Sequence, residues 1–231
     1  EKFGFVDPRE IDFENIRSKN GTKVLLTFDD GFASNRFVAE AVLKPLGIYA
    51  IFFVTHDFIG LNIQDSRKFA QTNFYRTRRI SESDGNMMSM SWLDIEWLAS
   101  AGHVIGAHTF THPKLSTLST DKKRIEIINA ADRVEQRLAI SIRQFAYPFG
   151  ALASVDEASV EIARERFDVA YSNIRGFFDE SPSRHFVFRQ NLVPGAPLWM
   201  VDAVIEGRLD WGYSNDRREA LARFPTRNIG K

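Results

Sequence analysis

The sequence contains no cysteine among its 231 residues. This absence excludes disulfide bonds, thiolate nucleophiles and cysteine-ligated metal sites. It is compatible with a reducing cytoplasm and with an oxidising compartment alike. Any metal site or catalytic group must therefore be built from other residue types.

The sequence also lacks an excess of either charge, because 30 Lys and Arg residues balance 30 Asp and Glu residues. A chain without net charge has no overall field that would attract nucleic acid or an anionic membrane surface. We therefore expect no nucleic-acid partner.

Long hydrophobic runs are absent as well. No stretch approaches the roughly 18 apolar residues of a membrane-spanning helix, so no transmembrane segment is predicted. The chain opens at Glu1 rather than Met, and we expect a trimmed or processed N-terminus. The residues favour neither a cytoplasmic nor an exported protein.

Short apolar runs alternate with longer segments of helical period, and the length suits one domain over residues 1–231. The predicted strands are residues 24–28, 50–55, 104–107, 144–147, 169–172 and 186–189. The predicted helices are residues 35–43, 92–101, 121–138 and 154–166. Unbroken apolar runs are typical of strands that are covered on both faces. Repeated strand–helix units indicate a parallel α/β sheet, either closed as a barrel or open and doubly wound.

Residues 56–91 interrupt this alternation and read as an insertion-like loop with the basic residues Arg76, Arg78 and Arg79. A loop of this length is uncommon unless it is functional or mobile. One interpretation is a solvated surface excursion with some local helix. The other is a wall of a substrate groove, because loops at strand ends line the active sites of parallel α/β folds.

Two adjacent carboxylates, Asp29 and Asp30, end a predicted strand in the stretch TFDDG at residues 27–31. Successive side chains of a strand point to opposite faces, so a turn must rotate one carboxylate if both are to face a site. Gly31 permits such a turn because glycine tolerates positive φ. The alternative interpretation is a turn with two solvated carboxylates.

A second polar stretch, HTFTH at residues 108–112, follows the predicted strand 104–107. His108 and His112 converge on one face if the residues between them form a helical turn. Imidazole is a common ligand of zinc and of other divalent transition metals. The alternative interpretation is two unrelated surface histidines.

Two histidines and one carboxylate form a three-ligand metal site with open positions for water and substrate. A metal held in this way acidifies water and polarises a carbonyl group. The neighbouring carboxylate can then accept a proton as general base. Together, these residues predict a hydrolytic site that needs no serine or cysteine nucleophile.

The same stretches resemble the signatures of the NodB-type polysaccharide deacetylases, carbohydrate esterase family four. TFDDG is similar to their first signature, HTFTH to their second, and FAYPFG at residues 145–150 to a variant of their third. The flanking stretches GIYAIFFV at residues 47–54 and AGHVIG at residues 101–106 are similar too. The resemblance covers roughly residues 20–195 in the family's order. It implies a distorted, partly open (β/α) barrel.

The resemblance also implies residue roles. Asp29 is expected to be the general base, and Asp30 the metal ligand together with His108 and His112. From the third signature, we expect Phe149 and Tyr147 at the substrate and the oxyanion, where the Phe149 backbone N–H would help to bind the oxyanion.

Two positions depart from the family's pattern. Ala146 replaces the arginine that orients the base, and Arg189 is our candidate for its substitute, although an ordinary strand-end arginine is the alternative. The family's general acid is a late histidine, but the last histidine here, His185, lacks the expected leucine context. The sequence therefore leaves the general acid unassigned.

The predicted function is metal-dependent hydrolysis of N-acetyl groups on a polysaccharide or glycan precursor. The predicted cofactor is one divalent ion, Zn²⁺, while Co²⁺, Ni²⁺ or Fe²⁺ would suit the same ligands. A metal amidohydrolase acting on a small molecule is one alternative, because the same groups can cleave any accessible amide. A carbohydrate-binding protein without activity is another, motivated by the missing arginine and acid.

Overall fold

A parallel sheet of five strands organises the chain. The structure, a computed structural model, describes residues 3–11, 22–76, 79–80, 87–192 and 195–226. The strands, in order across the sheet, are β3 (Leu26–Phe28), β4 (Ala50–Val54), β5 (Val104–Ala107), β6 (Gln144–Ala146) and β7 (Val169–Tyr171). A separate pair, β1 (Gly4–Phe5) and β2 (Lys23–Val24), is also parallel. The order across the main sheet follows the chain without the reversal of a doubly wound sheet, as in a partly open barrel.

Helices alternate with the strands, and several of them cover the outer face of the sheet. They are α1 (Ala33–Val38), α2 (Ile63–Phe69), α3 (Trp92–Ser100), α4 (Thr120–Arg124), α5 (Ala130–Leu138), α6 (Glu157–Arg166), α7 (Leu198–Ile205) and α8 (Ser214–Arg223). Three π-helical turns extend or join them, at Ala39–Leu43, Ala70–Phe74 and Ile125–Asn129. Short 3₁₀ turns lie at Lys44–Leu46, His56–Phe58, Leu115–Thr117, Phe178–Glu180 and Asp210–Tyr213. No helix within the described ranges combines the length and the apolar character needed to cross a membrane.

Polar residues at helix starts explain where several helices begin. Ser91 and Asp94 form a capping box at the start of α3. Asp156 accepts a hydrogen bond from the Ser159 N–H at the start of α6. Asn62 accepts from two backbone N–H groups at the start of α2. Each cap satisfies N–H groups that have no partner within the helix.

The core has two layers because strand side chains alternate between the faces of the sheet. Phe52, Ile105 and Phe145 point outward and pack beneath the helices. Ile51, Phe53, Ala146, Val169, Tyr171 and Val187 form the inner layer. A Cβ atom on Gly106 would lie 2.3 Å from Cδ1 of Phe53, so glycine makes room for the inner ring. Burial on both faces accounts for the unbroken apolar runs of the strands.

The predicted strand at residues 186–189 is not a regular strand. The segment makes one isolated parallel bridge, from Val187 to Tyr171. Its remaining backbone bonds are irregular, since Arg189 donates to the carbonyl of Ile174, beyond the end of β7. The apolar residues of this segment therefore predicted its burial correctly, but the prediction of a regular strand was wrong.

The predicted loop at residues 56–91 contains regular structure. A 3₁₀ turn (His56–Phe58), α2 and the π-helical turn at Ala70–Phe74 occupy much of its first half. The helix α2 is short and capped by Asn62. A helix of so few turns shows too weak a hydrophobic periodicity to be recognised from the sequence. Arg78 lies outside the described residues. That the segment is an insertion within a single catalytic domain stays a prediction.

Candidate active site

Three predicted metal ligands meet at the carboxyl ends of β3 and β5. Oδ1 of Asp30 lies 3.5 Å from Nε2 of His108 and 3.5 Å from Nε2 of His112. One ligand atom from each residue lies within 4.8 Å of the others. The imidazoles are buried, whereas Asp30 is partly exposed. The cluster is therefore accessible from the side of Asp30.

The backbone turns sharply where β3 ends. Asp30 has φ of 75° and Gly31 has φ of 102°, so both occupy the left-handed region that favours glycine. A Cβ atom on residue 31 would lie 2.7 Å from Cδ1 of Ile59. The turn brings the carboxylates of Asp29 and Asp30 to the same pair of histidines.

The loop from His108 to His112 is not the helical turn that the spacing predicted. Thr109 has φ of 67° and His112 has φ of 57°. Two reversals of the backbone, rather than a helical turn, bring the imidazoles together. A non-glycine residue in this conformation costs on the order of 1 kcal/mol, so the surrounding structure must hold the loop.

Glu126 provides that support. Its Oε2 accepts hydrogen bonds from the N–H groups of Phe110 at 2.9 Å and Thr111 at 3.0 Å, and its Oε1 accepts from the Thr111 hydroxyl at 2.7 Å. Glu126 lies in the π-helical turn between α4 and α5. This role of Glu126 could not be predicted from the sequence, because a glutamate in an amphipathic helix does not indicate which distant loop it binds.

Backbone carbonyls orient both histidines. Nδ1 of His108 lies 2.7 Å from the Ala146 carbonyl oxygen, and Nδ1 of His112 lies 3.2 Å from that of Asn73. A carbonyl oxygen only accepts, so each Nδ1–H donates, and Nε2 of each neutral imidazole is the atom available to bind a metal. This is the usual arrangement around metal-binding histidines.

The pKa values of the two imidazoles move in opposite directions. Burial lowers the pKa of His112 to about 4, assisted by the neighbouring charge of His108. Burial also lowers the pKa of His108, but the carboxylates of Asp30 and Asp29 overcome this effect and raise that pKa above its ordinary value. Carboxylates that stabilise an imidazolium at this position would equally stabilise a bound cation.

The donor set fits a divalent transition metal. Two imidazole nitrogens and one carboxylate oxygen are the usual ligands of such ions, whereas Mg²⁺ and Ca²⁺ prefer oxygen ligands alone. Bonds of about 2.0–2.2 Å in a tetrahedral arrangement separate donor atoms by about 3.4 Å. The 3.5 Å separations around Asp30 agree with that value.

The predicted hydrogen bond between Arg189 and Asp29 is confirmed. Nη1 and Nη2 of Arg189 donate to Oδ1 and Oδ2 of Asp29, both at 2.8 Å. Nε of Arg189 donates to the Ser172 carbonyl at 2.7 Å, and Nη1 also reaches the Thr27 hydroxyl at 3.2 Å. The Arg189 side chain is only 12% exposed, so it is not an ordinary solvated arginine.

This pairing determines the protonation state of Asp29. Burial raises the pKa of the carboxyl, but the charge and hydrogen bonds of Arg189 overcome it, and the charges of His108 and His112 add to the effect. The resulting pKa is about 2. Asp29 is therefore ionised and oriented, as a general base must be.

Arg189 also joins the two open edges of the curled sheet. Ser172 follows β7 at one edge, whereas Thr27 lies within β3 at the other. The guanidinium lies above the inner layer, with Cζ 5.6 Å from the Phe53 ring and 5.8 Å from the Tyr171 ring. The Arg189 side chain thus both links the two edges of the half-barrel and orients Asp29.

The third signature contributes Phe149 at the site but not the side chain of Tyr147. Phe149 has φ of 60°, and its ring packs edge-on against His112 at 4.6 Å between centroids. Within the described ranges, no group accepts a hydrogen bond from the Phe149 N–H.

Tyr147, in contrast, is 1% exposed. Its ring packs against Phe145 and Phe186, and its hydroxyl donates to the His185 carbonyl at 2.7 Å. Burial and this bond hold the Tyr147 side chain in the core, although the residue lines the cleft, and its contact with substrate stays a prediction.

Residues 73–76 form a wall beside His112. A groove wall was one of the two interpretations of residues 56–91 from the sequence. The Asn73 carbonyl holds His112, and the Phe74 ring packs edge-on against the same imidazole at 4.8 Å between centroids. This segment belongs to the interval 56–91. Phe74 and Tyr75 line the cleft, which favours the groove-wall interpretation for this part of the segment, and a role in binding substrate stays a prediction.

No third histidine joins the site. His185 is buried, its Nε2 lies 3.0 Å from the Phe167 carbonyl oxygen, and burial lowers its pKa to about 4. In the described residues, the only histidines that line the cleft are His108 and His112. No histidine therefore occupies the general-acid position expected from the family.

A cleft of about 1950 Å³ extends from the metal ligands along the open side of the half-barrel. Asp29, Arg189 and Phe149 line it at the catalytic end. Val201 and Ile205 of α7 also line the cleft. Its volume exceeds the roughly 300–1,000 Å³ of typical small-ligand pockets.

Comparison with known proteins agrees with this geometry. The family model described as polysaccharide deacetylase matches residues 17–166. A curated relative, the uncharacterized 30.6 kDa protein in the fumA 3' region of Geobacillus stearothermophilus, is 24% identical over 116 residues. The matched part is 49% of this chain and only 32% of that relative's length.

Two solved structures share the fold. Deacetylase PplD of Streptococcus pyogenes, in complex with acetate, has a TM-score of 0.67 and 18% identity, covering 88% of this chain and 80% of its own. IcaB from Ammonifex degensii has a TM-score of 0.64 and 23% identity, covering 90% of this chain and 82% of its own. These similarities confirm the predicted fold class.

Proposed function

The chain belongs to the polysaccharide deacetylase family, and from this premise we propose that it removes acetyl groups from N-acetylated sugars in a glycan. Asp29 is the proposed general base. Asp30, His108 and His112 are the proposed ligands of a single divalent metal. Arg189 positions the base, and the Phe149 N–H contributes to oxyanion binding.

One observation carries the proposal: an ionised carboxylate, fixed on both oxygens by Arg189, lies beside the Asp30–His108–His112 cluster. A protein that only binds carbohydrate has no need for an oriented base next to metal ligands. This pairing supports an active enzyme over the inactive homologue considered from the sequence.

The residues support amide hydrolysis in the following way. A divalent cation held by the three ligands would supply Lewis-acid chemistry, polarising the acetyl carbonyl and acidifying water. Asp29 accepts the proton from the attacking water, while Arg189 prevents the carboxylate from rotating. The free Phe149 N–H donates toward the carbonyl oxygen as negative charge develops there. As the C–N bond breaks, the amine nitrogen takes up the proton that Asp29 accepted from water, so the products are acetate and a free amine.

The cleft supports a glycan over a small molecule as substrate. Its volume of about 1950 Å³ accommodates several sugar units. It opens along one side of the barrel rather than enclosing a single compact ligand. We propose zinc as the metal, with Co²⁺, Ni²⁺ and Fe²⁺ as ions that the same ligands would accept.

The test is acetate release from an N-acetylglucosamine oligomer by metal-stripped protein, with and without added Zn²⁺. We expect activity only after metal addition. The Asp29→Asn variant should retain the metal and lose about 10²–10⁴-fold in turnover. Asp168→Asn, at an exposed carboxylate paired with Arg143, is the control. Full activity of metal-stripped protein or of Asp29→Asn would contradict the proposal.

A further inference from the structure

Arg76 lies beside Phe149 and His112, two residues that line the cleft. Its Cζ is 5.4 Å from the ring centroid of Phe149, and its Nη2 is 3.5 Å from the His112 carbonyl oxygen. The residue is exposed. A guanidinium group thus faces solvent directly beside the residues that would hold the reacting acetyl group.

This charge is not neutralised by the surrounding described chain. The contacts of Arg76 with described residues are the Phe149 ring and the His112 carbonyl, and neither is a carboxylate. Arg124 on the outer surface, in contrast, pairs with Glu165 at 2.6 Å. Arg76 therefore has donors available for a ligand.

Holding the His108–His112 loop does not account for Arg76. Its bond to the His112 carbonyl is at the outer limit of hydrogen-bond length. Glu126 already holds that loop through three shorter bonds. Packing against the Phe149 ring would not by itself require a guanidinium group.

Other charges restrict where an anionic group could bind. The cleft is lined by several carboxylates that would repel an anion, among them Glu10, Asp29, Asp30 and Asp179. Arg76 offers a favourable position on the Phe149 side. Its planar donors suit a carboxylate or a phosphate.

We infer that Arg76 binds a carboxylate or phosphate group carried by the sugar whose acetyl group is removed, so that the site prefers acidic amino sugars. This inference rests on the proposed function for the position of that sugar. Solvent exposure screens the interaction. We therefore expect a preference of about tenfold rather than an absolute requirement.

The experiment compares three sugars that share the acetamide: N-acetylglucosamine, its 6-phosphate, and N-acetylmuramic acid, which carries a carboxylate. The kcat/KM for acetate release is measured for wild type, Arg76→Gln and Arg76→Lys. Arg79→Gln is the matched control, because Arg79 lies in the same segment and the structure shows no contact of it with His112 or Phe149. The same sugars are titrated by calorimetry into metal-stripped protein, which reports binding without turnover.

We expect the acidic-to-neutral ratio of kcat/KM to fall about tenfold in Arg76→Gln, to recover partly in Arg76→Lys and to stay unchanged in Arg79→Gln. The acidic sugar with the larger ratio identifies the anionic group. A merely structural role would slow all three sugars equally and leave the ratio unchanged, which would overturn the inference. If wild type releases acetate from none of these monosaccharides, the proposed function is still decided by the N-acetylglucosamine oligomer, whose failure as a substrate would refute it. The inference is then decided by calorimetry, where weaker binding of an acidic sugar by Arg76→Gln supports it and equal binding overturns it.

Discussion

At the scale of single residues, His112 shows how a ligand depends on its surroundings. The Asn73 carbonyl and the rings of Phe74 and Phe149 fix its imidazole with Nε2 toward Asp30. We expect His112→Ala to lose stoichiometric metal, because two ligands bind a transition ion much more weakly than three. Elemental analysis after dialysis measures this. His56→Ala, outside the cluster, should keep about one ion per chain, and full occupancy in His112→Ala would refute the ligand assignment.

Arg189 is a second residue that a different side chain should not replace. We expect Arg189→Ala to lower kcat by about 10²-fold or more, since Asp29 would lose both hydrogen bonds that orient it. Lysine provides a single point charge, so Arg189→Lys should recover little. Steady-state acetate release, together with metal analysis, measures both effects. Arg143→Ala, at an exposed ion pair, is the control, and wild-type turnover of Arg189→Lys would show that charge alone suffices.

At the scale of elements, the π-helical turn Ile125–Asn129 supports a loop that belongs to another strand. Its Glu126 makes the three hydrogen bonds that hold residues 110 and 111. We expect Glu126→Ala to weaken metal binding about 10–100-fold, the usual effect of removing an outer partner of a metal site. Competition with a chelator measures the affinity. Glu165→Ala, which removes an exposed ion pair, should not change it.

The start of α6 depends on a partly buried ion pair. Asp156 caps the helix through Ser159 and also accepts from Lys123, whose side chain is 5% exposed. Burial raises the pKa of Asp156, but the bonds from Lys123 and Ser159 overcome it, so the pKa lies below its ordinary value. We expect Asp156→Asn to reduce the free energy of unfolding by about 1–3 kcal/mol at neutral pH, because Lys123 would remain buried without a counter-charge.

The same pair predicts a pH dependence. A carboxyl with a lowered folded-state pKa contributes stability above its unfolded pKa of about 3.9, and loses it as the pH falls through the folded value. The difference between wild type and Asp156→Asn should therefore be full at pH 7 and shrink below about pH 4. Urea unfolding across this range measures it, and a difference independent of pH would contradict the electrostatic explanation.

At the scale of the whole molecule, the core does not depend on the metal ligands. The outer layer packs the sheet against the helices without using Asp30, His108 or His112. We expect chelation to leave the secondary structure intact. Adding zinc at about 100 times its dissociation constant should stabilise the fold by about 2.7 kcal/mol, which raises Tm by about 5–10 °C for a chain of this size.

Circular dichroism and thermal unfolding test this separation of core and site. The His112→Ala variant is the control, since zinc should raise its Tm much less. Loss of helical signal on chelation at 25 °C would show that the metal is needed for the fold itself.

The fold class and the candidate metal ligands of this protein could be predicted from the sequence alone. Both depend on local information: apolar runs repeat along the chain, and TFDDG and HTFTH place ligand residues next to strand ends. The first strand predicted at residues 24–28 begins two residues later in the sheet, at Leu26. Such differences do not move Asp30, because the turn after Phe28 is marked by Gly31.

Which distant residues complete the site depends on the three-dimensional packing of the chain. Arg189 is 160 positions from Asp29 along the chain, and no local pattern distinguishes it from a surface arginine. Asn73, Phe74 and Glu126 reach the histidine loop from a helix-rich segment and from a π-helical turn. Tyr147 belongs to a recognised motif but points into the core. Such contacts arise from the curl of the sheet and the packing of helices on it, which bring together residues whose separation along the chain carries no signal.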